Sequence, residues 1–248
     1  MSKPSIFWEV HSGLPREGPG DNESTRKAFL MATDLPDKPR ILDVGSGPGM
    51  QTMELARISN GTIIAVDTHQ SFLDELERRA KEAGVSDRIE TRNASMFSLP
   101  FEKESFDLVW SEGALYIMGF QKGLTAWKEF LTPHGYIAVT EPSWLKTDIP
   151  DEIKKFWAEY AEMTTIENSQ KIIEQCGFKE IGHFVLPDSA WWNDYYTPKE
   201  QKLKVLREKY KDDTLKQIEI EESQHELDLH RKYSDLYGYV FFVMQKVL

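Results

Sequence analysis

The stretch ILDVGSGPGMQ, residues 41–51, carries the strongest local pattern in this chain. A short apolar run containing Asp43 leads into glycines at every second position, Gly45, Gly47 and Gly49. The apolar run is typical of a buried strand, and the residues after the glycines have helical spacing. Because glycine accepts a positive φ and lets a backbone approach a ligand closely, the stretch predicts a strand–loop–helix turn that binds a small molecule.

Short apolar runs and helical patterns alternate along the rest of the chain. Further strands are predicted at Thr62–Asp67, 88–93, Phe106–Ser111, 135–142, 179–187 and 237–246. Strands that alternate with helices pair in parallel through right-handed crossovers, so the pattern predicts a doubly wound α/β sheet. A helical insertion at 187–233 separates the last two strands. Such an insertion tends to cover the carboxyl ends of the strands, where ligands bind.

The length of 248 residues fits one domain, 1–248, with the segment 1–36 as an N-terminal lid and helix. The formal net charge of -11 argues against a nucleic-acid partner, since nucleic-acid readers usually present a basic face. Cys176 is the one cysteine, so no internal disulfide or cysteine metal cluster is expected, and no metal. No signal-peptide pattern and no run of ~20 apolar residues is found, so we expect a cytoplasmic protein without a membrane span.

The glycine pattern differs from two common nucleotide-binding motifs. The dinucleotide motif G-x-G-x-x-G requires a third glycine where Met50 stands, and no lysine of a P-loop follows. A helix start favours a carboxylate, Pro48 suits its first turn, and Asp43 offers a negative charge. The loop therefore predicts a ligand with both a carboxylate and a positive charge, unless the glycines only form a tight turn.

Asp67, at the end of the second strand, is a candidate for binding ribose hydroxyls, as acids in this position do in dinucleotide sites. A helix cap is the structural alternative.

Four stretches in order now resemble a known family: DVGSGPG, the VD at 66–67, ASMFSLPFEKESFDLVWSEGAL and LTPHGYIAVTEPSW. They are similar to the motifs of class I S-adenosylmethionine-dependent methyltransferases, in the small-molecule group that includes ubiquinone and menaquinone biosynthesis methyltransferases. The resemblance covers about residues 38–144. It implies a Rossmann-like sheet of seven strands, mostly parallel with an antiparallel last strand. It also implies S-adenosylmethionine as cofactor, S-adenosylhomocysteine as product and a small-molecule methyl acceptor.

The resemblance also implies which residues contact the cofactor. The methionine end falls on Asp43, Gly45, Ser46, Gly47 and Gly49, the ribose and adenine on Asp67, Thr68, Ala94, Ser95 and Met96, and the methyl donor on Ser111 and Glu112. Where the family often has an acid before the small adenine residue, this chain has Asn93. The N-terminal segment of this group often folds over the cofactor, so Arg16 and Gly18 are expected to touch it.

Methyl transfer from a sulfonium is an in-line displacement that depends mainly on alignment and exclusion of water. A base is needed only if the acceptor must lose a proton. Glu112 is the first catalytic candidate because it follows a strand end, and Tyr116 lies one helical turn beyond it. His11 and His183 are candidate bases, because histidine titrates in a useful range. For each residue a structural role is the alternative.

The acceptor is less clearly indicated. The turn SEGA differs from the N-P-P-Y of relatives that methylate amino groups of bases or glutamine, which disfavours those acceptors. An aromatic set is predicted to wall an apolar or cationic acceptor, or to anchor the insertion: Phe7, Trp8, Trp191, Trp192, Tyr195 and Tyr196. The charged run 199–222 is interpreted as a solvated face or a homodimer contact.

Two other functions are compatible with this kind of sheet. They are a nicotinamide-dependent oxidoreductase and a non-catalytic module that binds S-adenosylmethionine. The acceptor atom stays open, because carbon, oxygen, nitrogen and sulfur acceptors share the scaffold.

Overall fold

The structure, a computed structural model, describes residues 6–160 and 162–247. The first five residues of the predicted lid, 1–5, and the last residue of the predicted domain lie outside the described residues. The strands are β1 Arg40–Val44, β2 Thr62–Asp67, β3 Ile89–Asn93, β4 Phe106–Ser111, β5 Leu131–Trp144, β6 Thr164–Thr165, β7 Phe178–Val185 and β8 Tyr237–Lys246. The helices are α1 Phe7–His11, α2 Asn22–Met31, α3 Met50–Ile58, α4 Gln70–Glu82, α5 Phe120–Trp127, α6 Asp151–Phe156, α7 Ile166–Gln175, α8 Ser189–Trp191, α9 Thr197–Lys209 and α10 Thr214–Tyr233.

The sheet has the order β3-β2-β1-β4-β5-β8-β7, and the two-residue β6 pairs with the end of β5. Strands β1 to β5 pair in parallel, whereas β8 runs antiparallel to both of its neighbours. The prediction of a mostly parallel sheet with an antiparallel last strand is therefore confirmed, and β6 is an addition to it. Helices α8 to α10 lie between β7 and β8 in the chain, as expected for the insertion.

Both faces of the sheet are buried. Successive side chains point to opposite sides of a strand, so neighbouring residues contribute to different cores. Ile41 and Leu42 of β1 belong to the cores on opposite faces, and so do Phe241 and Phe242 of β8. A third, smaller core joins α1 to the insertion and contains Ile6, Val10, Leu203, Leu206 and Ile220. Among the described residues, no helix has the length and apolar character needed to cross a membrane.

The glycine loop follows β1 directly and needs left-handed backbone at each glycine. Gly45, Gly47 and Gly49 have φ values of 74°, 53° and 83°. The N–H groups of Gly45 and Ser46 both donate to the carbonyl of Val66, at 2.8 and 3.0 Å, which ties the loop to the end of β2. The loop is thereby fixed at the carboxyl end of β1, beside β4. The strand order reverses between these two strands, and doubly wound sheets bind ligands at such a point.

Gly49 is also constrained by packing. A Cβ atom at this position would overlap the side chain of Leu76, which is fully buried in α4. We expect Gly49→Ala to lower the free energy of unfolding by about 3 kcal/mol, from positive φ and overpacking together. Gly84→Ala is the matched control, because Gly84 also has a positive φ of 67° but no atom within 4 Å of the added Cβ. Urea unfolding of both variants measures the difference, and equal losses would contradict the packing argument.

Candidate active site

A cavity of about 430 Å³ opens at the carboxyl ends of β1, β2 and β4. Its wall brings together these residues expected from the sequence: His11, Arg16, Gly18, Gly45, Ser46, Gly47, Asp67, Thr68, Ala94, Ser95, Met96, Glu112 and Tyr116. They come from the N-terminal segment, the glycine loop and three strand ends. The cavity is called the first cavity below.

Three expected contacts lie behind this wall instead of on it. Asp43 is fully buried and accepts a hydrogen bond of 2.6 Å from the Thr52 hydroxyl of α3. Ser111 donates to the carbonyl of Val44 at 2.8 Å, and Gly49 packs against α4. These residues shape the loop from behind, and their expected direct contact with a ligand stays a prediction.

Asp43 also differs from the sequence expectation in its charge. Burial raises the pKa of its carboxyl to about 7, although the hydrogen bond from Thr52 works in the opposite direction. Its Oδ1 atom has no hydrogen-bond partner among residues 6–160 and 162–247. Asp43 is therefore partly protonated near neutral pH and does not provide the fixed negative charge expected of it.

Asp67 stands at the rim of the first cavity and is held by two backbone groups. Its Oδ2 accepts from the Gly47 N–H at 2.9 Å, and its Oδ1 accepts from the His69 N–H at 2.8 Å. The second bond lies just before α4, which agrees in part with the helix-cap alternative. A carboxylate accepts about four hydrogen bonds, so each oxygen keeps capacity for a ligand hydroxyl.

Glu112 is bound on all sides and is not a free base. Its side chain is 0% exposed, and its Oε2 forms an ion pair with Arg16, whose side chain is 4% exposed. Its Oε1 accepts from the hydroxyl of Thr25 at 2.7 Å and from the indole N–H of Trp110 at 2.9 Å. This geometry favours a positioning role over the expected catalytic one: Glu112 holds Arg16, which lines the cavity and whose Nη1 is buried without a partner in the described chain.

His11 contacts a residue that sequence reasoning missed, Glu17, with 2.8 Å between Nδ1 and Oε2. Burial lowers the pKa of His11 to about 3. Burial, followed by the Asp67 carboxylate, raises the pKa of Glu17 to about 8. The contact is therefore a hydrogen bond between an uncharged imidazole and a protonated carboxyl at neutral pH, and not an ion pair. The signal in the sequence was the acid between Arg16 and Gly18.

The other two base candidates, Tyr116 and His183, lie in different parts of the structure. Tyr116, in a short 3-10 turn after β4, lines the first cavity. His183 lies on β7 and bonds to Glu180 three residues earlier. Its place is on the side of the sheet edge away from the cavity, so His183 is not a base for chemistry there.

A second cavity of about 610 Å³ adjoins the first under the insertion. Residues on the walls of both are Phe7, His11, Glu17, Gly18, Gly113, Tyr116 and Ile117. Trp191, Tyr195 and Tyr196 line it, as the aromatic pattern predicted. Trp192 instead packs outside against the Arg231 guanidinium, 4.6 Å from the ring centre. Trp8 lines the first cavity, with its ring 3.4 Å from that of His69.

Polar groups in the second cavity are paired with one another. Lys199 contacts Glu226 at 2.6 Å, and the Tyr196 hydroxyl donates to the same carboxylate at 3.0 Å. The Tyr160 hydroxyl, also on this wall, donates to Glu141 behind it, a residue whose pKa burial raises to about 8. The cavity thus combines aromatic walls with Glu17, the Lys199–Glu226 pair and one further acid, the exposed Glu159.

Comparison with known proteins adds an independent finding. Residues 41–135 match a family described as a methyltransferase domain. The chain is 25% identical over 237 residues to the uncharacterized methyltransferase YodH of Bacillus subtilis, covering 94% of this chain and 95% of the relative. The matched family and this relative agree with the resemblance of the sequence to class I S-adenosylmethionine-dependent methyltransferases. The chain is also 23% identical over 252 residues to the 27-O-demethylrifamycin SV methyltransferase of Amycolatopsis mediterranei, covering 97% of this chain and 88% of the relative.

Solved structures show the same fold. A SAM-dependent methyltransferase from Geobacter sulfurreducens, in complex with S-adenosyl-L-homocysteine, superimposes with a TM-score of 0.83, at 20% identity and 99% coverage of both chains. YjhP from E. coli superimposes with a TM-score of 0.85, at 21% identity, with 98% of this chain and 100% of YjhP covered.

The Arg16–Glu112 pair can be tested by measuring the free energy of unfolding of variants that lack one partner or both. Removing one partner of a buried ion pair costs about 3–5 kcal/mol, because the other charge is left uncompensated. We expect Arg16→Met and Glu112→Gln each to lose about this much free energy of unfolding. The double variant should lose at least about 2 kcal/mol less than the sum, since no unpaired charge remains. Urea unfolding of the four proteins measures this coupling, and additive losses would contradict the pairing.

Proposed function

We propose that S-adenosylmethionine binds in the first cavity, that a small-molecule acceptor binds in the second, and that methyl transfer occurs at their shared wall. The observation that carries this proposal is the contact between a loop-lined cavity and an aromatic cavity. The first cavity, of about 430 Å³, has a size typical of a cofactor site. The cofactor would supply an electrophilic methyl group on a sulfonium, and the protein would orient the acceptor and exclude water.

The groups in the first cavity fit both ends of this cofactor. Arg16 presents a buried Nη1 without a partner in the described part of the chain, suited to the methionine carboxylate. A Cβ built on Gly47 would lie 3.5 Å from the Glu17 side chain, so the glycine loop and Glu17 line the cavity side by side. Asp67 would accept from the ribose hydroxyls. Ala94 and Met96 give an apolar wall for the adenine, across from the ring pair of Trp8 and His69.

The second cavity favours a neutral, largely apolar acceptor over a cationic one. Its aromatic walls suit apolar surface and also cations. A cation would, however, need buried negative charge, and Glu226 is already neutralised by Lys199. Glu17 is mostly protonated at neutral pH, because burial raises its pKa to about 8. The remaining acid on the wall, Glu159, is exposed to solvent, which screens its charge. The relative named for a demethylrifamycin is consistent with an acceptor of this kind.

The N-terminal segment and the insertion would act together as the cover of both cavities. Their charged outer residues pair within the insertion, as in Arg207–Glu221 and Arg231–Glu200. This internal pairing supports a solvated face for the charged run more than a homodimer contact.

Cofactor binding is tested at Asp67. We expect Asp67→Asn to weaken S-adenosylhomocysteine binding by about 1–3 kcal/mol, because the neutral amide offers one acceptor oxygen where two ribose hydroxyls need partners. Isothermal titration calorimetry measures the affinity, and Asp74→Asn on the exposed face of α4 is the control. An unchanged affinity would reject the ribose role. A wild-type protein that binds NADH but not S-adenosylhomocysteine would favour the oxidoreductase alternative.

The acceptor cavity is tested by filling it. Ser223 of α10 lies on the wall of the second cavity and is absent from the wall of the first. We expect Ser223→Trp to reduce methyl transfer from labelled cofactor to an apolar cell extract by at least about tenfold, while affinity for S-adenosylhomocysteine stays within about twofold. Lys204→Trp, on the exposed face of α9, is the control for the added indole. Full transfer by Ser223→Trp would place the acceptor elsewhere.

A further inference from the structure

We propose that the His11–Glu17 pair is the proton acceptor of the reaction, and that the methyl acceptor is a hydroxyl group on an otherwise apolar molecule. This inference rests on the proposed function, since it names the chemistry of the site where the two cavities meet. Neither the family match nor the relatives named above assign a role to Glu17.

Position selects this pair among the candidate bases. Of the seven described residues on the walls of both cavities, His11, Glu17 and Tyr116 carry titratable side chains. Burial raises the pKa of Tyr116 above its usual value near 10, so its phenolate is scarce at neutral pH. Glu112 is committed to three donors. The pair therefore contains the basic groups that a reacting atom at the shared wall can reach.

The arrangement of the pair leaves one oxygen available. Glu17 uses Oε2 for the 2.8 Å contact with His11 Nδ1, while its Oε1 is buried without a partner in the described residues. The Glu17 side chain is 21% exposed and that of His11 is 7% exposed, so the contact is largely shielded from water. The Cγ of Glu17 lies 3.5 Å from a Cβ built on Gly47, next to the cofactor loop. A buried oxygen without a partner thus belongs to a residue that lines both cavities beside the glycine loop.

Surrounding charges hold the proton affinity of the pair in a useful range. Asp67, at the end of β2, raises the pKa of Glu17 in addition to burial, whereas Lys199 and Lys202 of α9 lower it. From α10, Glu226 offsets Lys199 by its direct contact. The pKa of about 8 that results is close to the best value for a general base at physiological pH. A sulfonium placed beside Glu17 would lower it further, because a nearby positive charge favours the carboxylate.

In the methyl-transfer step, the acceptor oxygen forms a bond to the methyl carbon while the methyl–sulfur bond breaks, and sulfur keeps that electron pair. The hydroxyl proton moves to Glu17 Oε1, and His11 keeps the carboxyl in place through Oε2. The products are a methyl ether, S-adenosylhomocysteine and a protonated Glu17, which returns its proton to water when the site opens. A tertiary amine acceptor would leave this base without a task, because its nitrogen has no proton to lose.

Glu17→Gln tests the proposal, because glutamine keeps the size and loses the basic oxygen. We expect methyl transfer from labelled S-adenosylmethionine to an apolar cell extract to fall by about 10²-fold or more. For wild type the rate should rise with pH up to about 8 and then level off, since only the carboxylate accepts the proton, and Glu17→Gln should lose this dependence. Affinity for S-adenosylhomocysteine, measured by calorimetry, should change less than threefold. Glu23→Gln, at an exposed position in α2, is the control.

A second measurement does not depend on turnover. Difference infrared spectroscopy should show protonated carboxyl absorption that titrates near pH 8, and Glu17→Gln should lose part of it while the part from Glu141 remains. Unchanged turnover and pH dependence in Glu17→Gln, or label recovered on nitrogen or carbon instead of in a methyl ether, would overturn the proposal. So would a loss of S-adenosylhomocysteine affinity as large as that of Asp67→Asn, since Glu17 would then be a cofactor ligand. Failure of the wild type to bind S-adenosylhomocysteine would reject the proposed function itself.

Discussion

The buried ion pair between Arg16 and Glu112 joins the N-terminal segment to the end of β4, across 96 residues of sequence. A segment this short has little core of its own, so its position over the sheet edge depends on the bonds that it makes there. Two buried charges are tolerable only when nearly all their polar atoms are satisfied, and Glu112 meets this with Arg16, Thr25 and Trp110. Gly20 leaves the space that the guanidinium occupies, since a Cβ there would overlap it. With Arg16 fixed, Glu17 and Gly18 must lie on the cavity wall.

The interior of the site keeps carboxyl groups mostly uncharged, and this has a cost in stability. Burial raises the pKa of Glu17 and Glu141 to about 8 and that of Asp43 to about 7. A raised pKa means that the folded state binds protons more tightly than the unfolded chain. The stabilisation is therefore present below about pH 4.5 and is lost as pH rises toward 8. A functional site accepts such a loss when it needs a weakly acidic carboxyl in an apolar surrounding.

Local sequence was enough to predict the sheet and most of the first cavity. The glycines of the loop, Asp67 and residues 94–96 each follow a predicted strand directly, and parallel strand ends meet at one edge. The ion-pair partners could not be predicted, because they lie far apart in the sequence. Nothing in the sequence around Glu112 shows that Arg16 contacts it, so Glu112 was expected to be a base. Trp191 and Trp192 look alike in sequence, yet Trp191 lines the second cavity and Trp192 packs outside it against Arg231. The aromatic pattern alone does not predict which of two adjacent tryptophans faces the cavity.

The N-terminal segment and the insertion, which together cover the site, also pack against each other. Ile6 and Val10 of the N-terminal segment pack with Leu203, Leu206 and Ile220 of the insertion. Separating them would expose this apolar surface to water, so α1 and α9 are more stable moving as one body than apart. Opening the first cavity for cofactor exchange then also opens the second cavity for the acceptor. Water reaches the His11–Glu17 pair in the same movement, which gives its proton a way out at the stage when product leaves. Closure restores the dry surroundings on which the high pKa of Glu17 depends, so the base is reset once in each opening of the site.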